Sequence, residues 1–181
     1  MKQLSFVIVL VIWLLCSCNK NSEPDLEIEL PISSVFIPVS IEINKNDIND
    51  REREEIMNLV NNQHIVNNLS ELPSDPIGQN EAFNYINFKE QTLLILYLYK
   101  WWTFETYSNR FYKNTKENSY NWVVKLGAVI DYDDDRETVQ LTRFAILVRK
   151  LPVDADVQTW YSQTQLRPNA EWYFKYAKAV C

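Results

Sequence analysis

The sharpest periodic signal lies between Tyr120 and Tyr132, where apolar and polar residues alternate. Trp122, Val124, Leu126, Ala128, Ile130 and Tyr132 share one phase, while Lys125, Gly127 and Asp131 fall in the other. A period of two sends successive side chains to opposite faces of a sheet, so this segment is a strand with one face in the core. Thr92 to Tyr99 is instead an almost continuous apolar run rich in β-formers, which predicts a central strand. Trp102 to Tyr112, followed by the polar turn Lys113 to Asn118, predicts the partner arm of a hairpin with the alternating strand. In Thr138 to Val148 the phase changes: Val139 and Leu141 keep one, and Phe144, Ile146 and Val148 keep the other. A β-bulge near Thr142 would reconcile the two.

The flanking segments are shorter. Pro31 to Ile43 predicts a strand that Pro38 confines to an edge or bends. Asp50 is placed to cap a helix whose apolar stripe is Ile56, Leu59 and Val60 and which reaches about Asn62. His64 to Val66 suggests a brief strand, Ser70 to Pro73 a turn, and Asn80 to Tyr85 a second short helical piece. Val157 to Tyr161 suggests a last strand before an aromatic tail from Trp172 to Tyr176. Successive strands with short connections imply antiparallel pairing. The expected fold is α+β and mainly β, a single domain over residues 31–181 with an antiparallel sheet, curved or sandwich-like, packed by one or two short helices.

The N-terminus has a different character. Met1 and Lys2 precede an apolar run from Leu4 to Leu15 that only Ser5 interrupts, shorter than the ~20 residues a bilayer span requires. That is the make-up of a signal peptide. Leu15-Cys16-Ser17-Cys18 resembles a lipoprotein-type signal, with cleavage after residue 17 and Cys18 as the acylated first residue of the mature chain. Residues 19–30, polar and poor in packing groups, suggest a tether. The expected location is the bacterial cell envelope, with a lipid anchor most simply held in the outer membrane.

Composition then excludes several functions. The formal net charge is -6, and removal of residues 1–17 takes away only Lys2, giving -7 for the mature chain. Nucleic-acid binding needs clustered cations, and here they are scattered. Of three cysteines, Cys16 leaves with the signal and Cys18 is acylated, so Cys181 alone survives and no internal disulfide can form. The chain holds only two glycines, Gly78 and Gly127, so neither a phosphate-cradling loop nor a dinucleotide fingerprint can be built. No G-x-S-x-G nucleophile elbow occurs either.

Three constellations carry candidate chemistry. Asp131, Asp133, Asp135 and Glu137 crowd one turn, an oxygen-rich set that a hard cation such as calcium would use. Arg136 stands where a calcium loop needs glycine, and aspartate-rich turns also occur simply because Asp bonds its own backbone. No cofactor is expected apart from that calcium alternative. Trp101, Trp102, Trp160, Tyr161 and Trp172 are candidate ligand-binding aromatics, because sugar faces stack on exposed indole and phenol rings. Adjacent aromatics in a strand point to opposite faces, so only one of each pair can join a platform. His64 is the one histidine and cannot by itself build a zinc site; a Ser/His/Asp arrangement around it is formally open.

Three segments carry a family resemblance: Ile65-Val66-Asn67-Asn68-Leu69-Ser70-Glu71-Leu72-Pro73, Ile86-Asn87-Phe88-Lys89-Glu90-Gln91-Thr92-Leu93-Leu94-Ile95, and Ala145-Ile146-Leu147-Val148-Arg149-Lys150-Leu151. They resemble small Bacteroidetes-type lipoproteins and are similar, more distantly, to the C-terminal domain of the PrcB-like family of protease-complex proteins. No catalytic residue transfers with that resemblance. The expectation is a non-enzymatic, lipid-anchored envelope protein, attached to the membrane through its lipid, that binds another envelope macromolecule. A glycan-binding surface lipoprotein is the alternative, and a hydrolase using scattered carboxylates or His64 comes third.

Overall fold

The computed structural model describes residues 27–78, 81–100, 103–115, 118–129, 137–165 and 174–178. Its strands are β1 (Glu27–Leu30), β2 (Ile32–Val35), β3 (Val39–Asn44), β4 (His64–Val66), β5 (Gln91–Lys100), β6 (Thr103–Asn114), β7 (Ser119–Val129), β8 (Thr138–Arg149), β9 (Asp156–Gln165) and β10 (Phe174–Lys178). One α-helix, α1 (Asp50–Asn61), and two short 3-10 helices, Leu69–Glu71 and Glu81–Tyr85, complete the described elements.

The strands form two sheets. The first runs β1-β6-β7-β9-β10; the second runs β2-β8-β5-β4, with β3 also paired to β8. The apolar run in β5 explains the layering. Its residues Leu94, Leu96 and Leu98 face the first sheet, where they join Phe144, Ile146 and Val148 of β8 against Phe111, Tyr120, Trp122, Val124, Leu126 and Val157. Its alternate residues Leu93, Ile95 and Tyr97 face the other way and are covered by Ile56 and Leu59 of α1, with Val66 and Phe83. A strand buried on both faces has no polar phase to show, so its sequence is continuous rather than alternating.

The same reasoning removes the expected bulge at Thr142. β8 holds unbroken register against β5 from Gln140↔Lys100 to Arg149↔Gln91, and against β3 from Thr138↔Asn44 to Arg143↔Val39. Val139 and Leu141 pack in the helix-side core while Phe144, Ile146 and Val148 pack between the sheets. The change of phase records burial on two faces, not an inserted residue.

Mainly β architecture with antiparallel pairing holds for nearly every ladder, including the β6/β7 hairpin. One pair departs from it: β9 runs parallel to β7, from Ser119↔Asp156 to Ala128↔Gln165. The two-faced apolar pattern of β8 sends it to the second sheet, so the chain makes a full crossover before returning as β9, which is what a parallel neighbour requires.

Two boundaries also shift, and the break at Pro38 falls on an edge as its sequence predicts. Glu27–Leu30 is not tether but strand β1, paired antiparallel to β6, with Leu30 packed against the core between the sheets. Pro38 interrupts the edge strand, and β2 and β3 occupy successive stretches of β8. Asn49, rather than Asp50, caps α1: its side chain accepts from the Glu52 N–H, and Glu52 Oε2 accepts from the Asn49 N–H at 2.9 Å. That reciprocal capping box needs the cap three residues before the glutamate, which Asn49 satisfies.

The three segments that carry the sequence resemblance meet at one end of the second sheet. Thr92 Oγ1 donates to Asn67 Oδ1 at 2.9 Å and accepts from the Leu151 N–H at 3.1 Å, and Lys150 Nζ donates to Asn67 Oδ1 at 2.8 Å. Their common feature is a hydrogen-bonded junction of β4, β5 and the end of β8. Among the described residues no helix is long and apolar enough to cross a membrane.

Candidate functional site

Among the described residues both faces of the second sheet are covered, whereas the first sheet packs one face inward. Its outer face therefore carries every residue in the opposite phase from Trp122 and Val124. On β7 these are Ser119, Asn121, Val123 and Lys125; register places Gln158, Trp160 and Ser162 of β9 directly beside Asn121, Val123 and Lys125. On the other side of β7, Tyr112, Arg110 and Ser108 of β6 lie beside the same three positions, and Glu27 and Glu29 of β1 lie beside Asn114 and Tyr112.

An open groove of about 460 Å3 is cut into this face. Glu27, Asn114, Ser119, Asn121, Gln158 and Lys125 supply carboxylate, amide, hydroxyl and ammonium groups, and Val123 and Trp160 supply an apolar centre. The indole is held by a chain of contacts. Trp160 Nε1 donates to Asn121 Oδ1 at 3.2 Å, and Asn121 Nδ2 donates to Glu27 Oε1. Three strands thus fix one ring, and the ring is only half-buried.

Of the aromatics singled out by sequence, the structure separates Trp160 from its neighbour. Trp160 belongs to the outer face, while Tyr161 packs against the core between the sheets, with Lys100 Nζ over its ring at 5.4 Å. Tyr161 reaches the groove only as part of its lining. Trp101, Trp102 and Trp172 lie outside the described residues, as do Cys18, Asp131, Asp133 and Asp135. Glu137 is described and exposed, and its backbone carbonyl accepts from the Lys45 N–H at 2.8 Å. Among the described residues no three His, Cys, Asp or Glu side chains converge on a metal position.

His64 is committed to packing: Nε2 donates to the Leu59 carbonyl at 3.0 Å, and the ring meets Tyr97 edge-on at 5.3 Å. The nearest thing to a buried polar centre lies beside it. Arg143 Nη1 donates to Asp75 Oδ2 at 3.0 Å and to the Gly78 carbonyl at 2.7 Å, and the Tyr97 hydroxyl also donates to Asp75. The charged side chains are 6% and 2% exposed, and the guanidinium stands 5.3 Å from the Phe83 ring. Burial first, then the adjacent Asp75 carboxylate, pushes the Tyr97 phenol far above its ordinary range. Every group here is spent on another, so the cluster fastens the 72–78 loop to the sheet.

Sequence inspection missed Asn121, Gln158, Asn114, Ser119 and Glu27 as groove residues. The signal was present in the polar phase of the alternating strand, but only the pairing of β7 with β9 brings Trp160 into line with it. The chain matches no protein-family model, no curated protein and no solved structure.

Proposed function

We propose that this chain is a lipid-anchored protein of the bacterial cell envelope, held in the outer membrane through Cys18, whose folded domain is a non-enzymatic binding module for a glycan. The observation that carries the ligand class is the half-buried Trp160 indole fixed by Asn121 and Glu27 within an open, amide-lined groove. A pyranose offers an apolar face of C–H groups and a rim of hydroxyls. It therefore fits a site with a ring at its centre and mixed donors and acceptors around it. The groove follows β7 from Ser119 to Lys125, six residue steps or about 20 Å at a strand's rise, which suits several linked sugars better than one. Support for the anchor comes from the sequence of residues 1–18.

A glycan array probed with the full-length protein in detergent micelles tests this reading. Binding to at least one oligosaccharide class is expected, and Trp160→Ala should weaken it about thirtyfold, the ~2 kcal/mol expected of a central aromatic contact. Trp160 is half-buried and hydrogen-bonded, so the variant should unfold at a somewhat lower temperature but still cooperatively, which a melting curve checks. A folded Trp160→Ala protein that bound like the parent would refute the assignment.

A further inference from the structure

Resting on the glycan reading, we infer that the ligand is an acidic saccharide, one bearing a carboxylate or phosphate, bound with its anionic group at the Lys125 end of the groove. The outer face of the first sheet is electrically polar along its length. Glu27 and Glu29 stand on β1 at one end, and Glu27 is already engaged, accepting from Asn121. Two steps along β7 from Asn121 is Val123, and two further is Lys125, so the ammonium lies beyond the indole on the side away from Glu27. Lys125 lines the groove and has no hydrogen bond or ion pair among the described residues.

A second cation stands beside it. Arg110 of β6 pairs with Val123, which makes it the diagonal neighbour of Lys125, about 7–8 Å away between strand positions. Its guanidinium contacts the Tyr112 hydroxyl at 3.4 Å and is attracted by the Glu29 carboxylate, and it keeps further N–H donors of the five such a group carries. Two cations on adjacent strands, set next to a fixed indole, match a sugar whose ring covers Trp160 while its anionic substituent reaches Lys125 and Arg110. The mature chain is acidic overall at -7, from a formal -6 less Lys2. Lys125 inside the groove and Arg110 beside it on β6 therefore stand against the background charge and select for an anion by position rather than by bulk attraction.

The test compares matched ligands that differ only in charge. Oligogalacturonate is titrated against the same oligomer fully methyl-esterified, and a phosphorylated oligomannose against plain oligomannose, using the full-length protein in micelles. We expect the acid form of at least one pair to bind about tenfold tighter than its neutral partner, equivalent to ~1.4 kcal/mol. The two pairs tell a uronate from a sugar phosphate. Lys125→Gln should bring that ratio close to one, whereas Trp160→Ala should weaken both forms and leave the ratio standing. The ratio should also shrink between about 0.01 M and about 1 M salt, as the screening length falls from about 30 Å to about 3 Å. Equal binding of acid and neutral forms in both pairs, or a ratio untouched by Lys125→Gln, overturns the inference while leaving the glycan reading intact. Binding of none of the four ligands overturns the inference, and the glycan reading falls with it only where the array also shows no bound oligosaccharide class.

Discussion

Replacing Arg143 by methionine separates the two roles its side chain combines. The guanidinium neutralises Asp75, whose carboxylate is almost wholly buried, and it covers the face of Phe83. Methionine retains much of the apolar stem but leaves Asp75, among the described residues, with the Tyr97 hydroxyl and the Gly78 N–H as donors. Removing one partner of a buried pair costs about 3–5 kcal/mol, because the remaining charge is uncompensated. For a domain of this size each kcal/mol lowers the unfolding temperature by about 2–4 °C, so a drop of about 10 °C is expected. Urea unfolding followed by tryptophan fluorescence would measure the free-energy loss, since Trp122 is fully buried. The decisive comparison is the double variant Asp75→Asn/Arg143→Met. An asparagine still accepts from Tyr97 or Gly78 but carries no charge, so the second change should restore about 1–3 kcal/mol of the loss. A double variant no more stable than Arg143→Met would refute the electrostatic account and assign the cost to lost packing on Phe83.

Two further outcomes follow from named contacts. Tyr97 titrates normally near 10.0 when unfolded and is raised in the folded chain by burial and by Asp75. The folded state thus binds the extra proton above that pH, so stability should be level below pH 10 and fall as pH rises beyond it; in Tyr97→Phe the part of that fall due to this phenol should vanish from alkaline unfolding curves. Labelled palmitate should be incorporated by the parent chain and not by Cys18→Ala, and equal labelling of the two would remove the lipid anchor.

Much of the fold was legible because local patterns were strong. The alternation of Trp122, Val124 and Leu126, the run through β5, the stripe Ile56 and Leu59, and the break at Pro38 each correspond to an observed element. What misled was any feature whose meaning depends on a second sheet. A phase change in β8 reads as a bulge when one buried face is assumed, and becomes ordinary once α1 covers the other face. Arg143 illustrates the same limit, since a lone arginine among apolar residues looks exposed until the loop bearing Asp75 closes over it.

The sequence by itself determined that the chain is mainly β with an amphipathic helix, that its composition rules out glycine-built nucleotide sites, and that residues 1–18 resemble a lipoprotein signal. These are consequences of spacing and residue type over a few positions, where side-chain periodicity and backbone preference act locally. Only the tertiary structure decided that Trp160 faces outward and Tyr161 inward, and that Asn121, Gln158 and Lys125 share a groove with the former. Those residues come from strands far apart in the chain, and the parallel pairing of β9 with β7 that aligns them results from where β8 finds burial on both faces. Their proximity is a property of the packing and has no local signature.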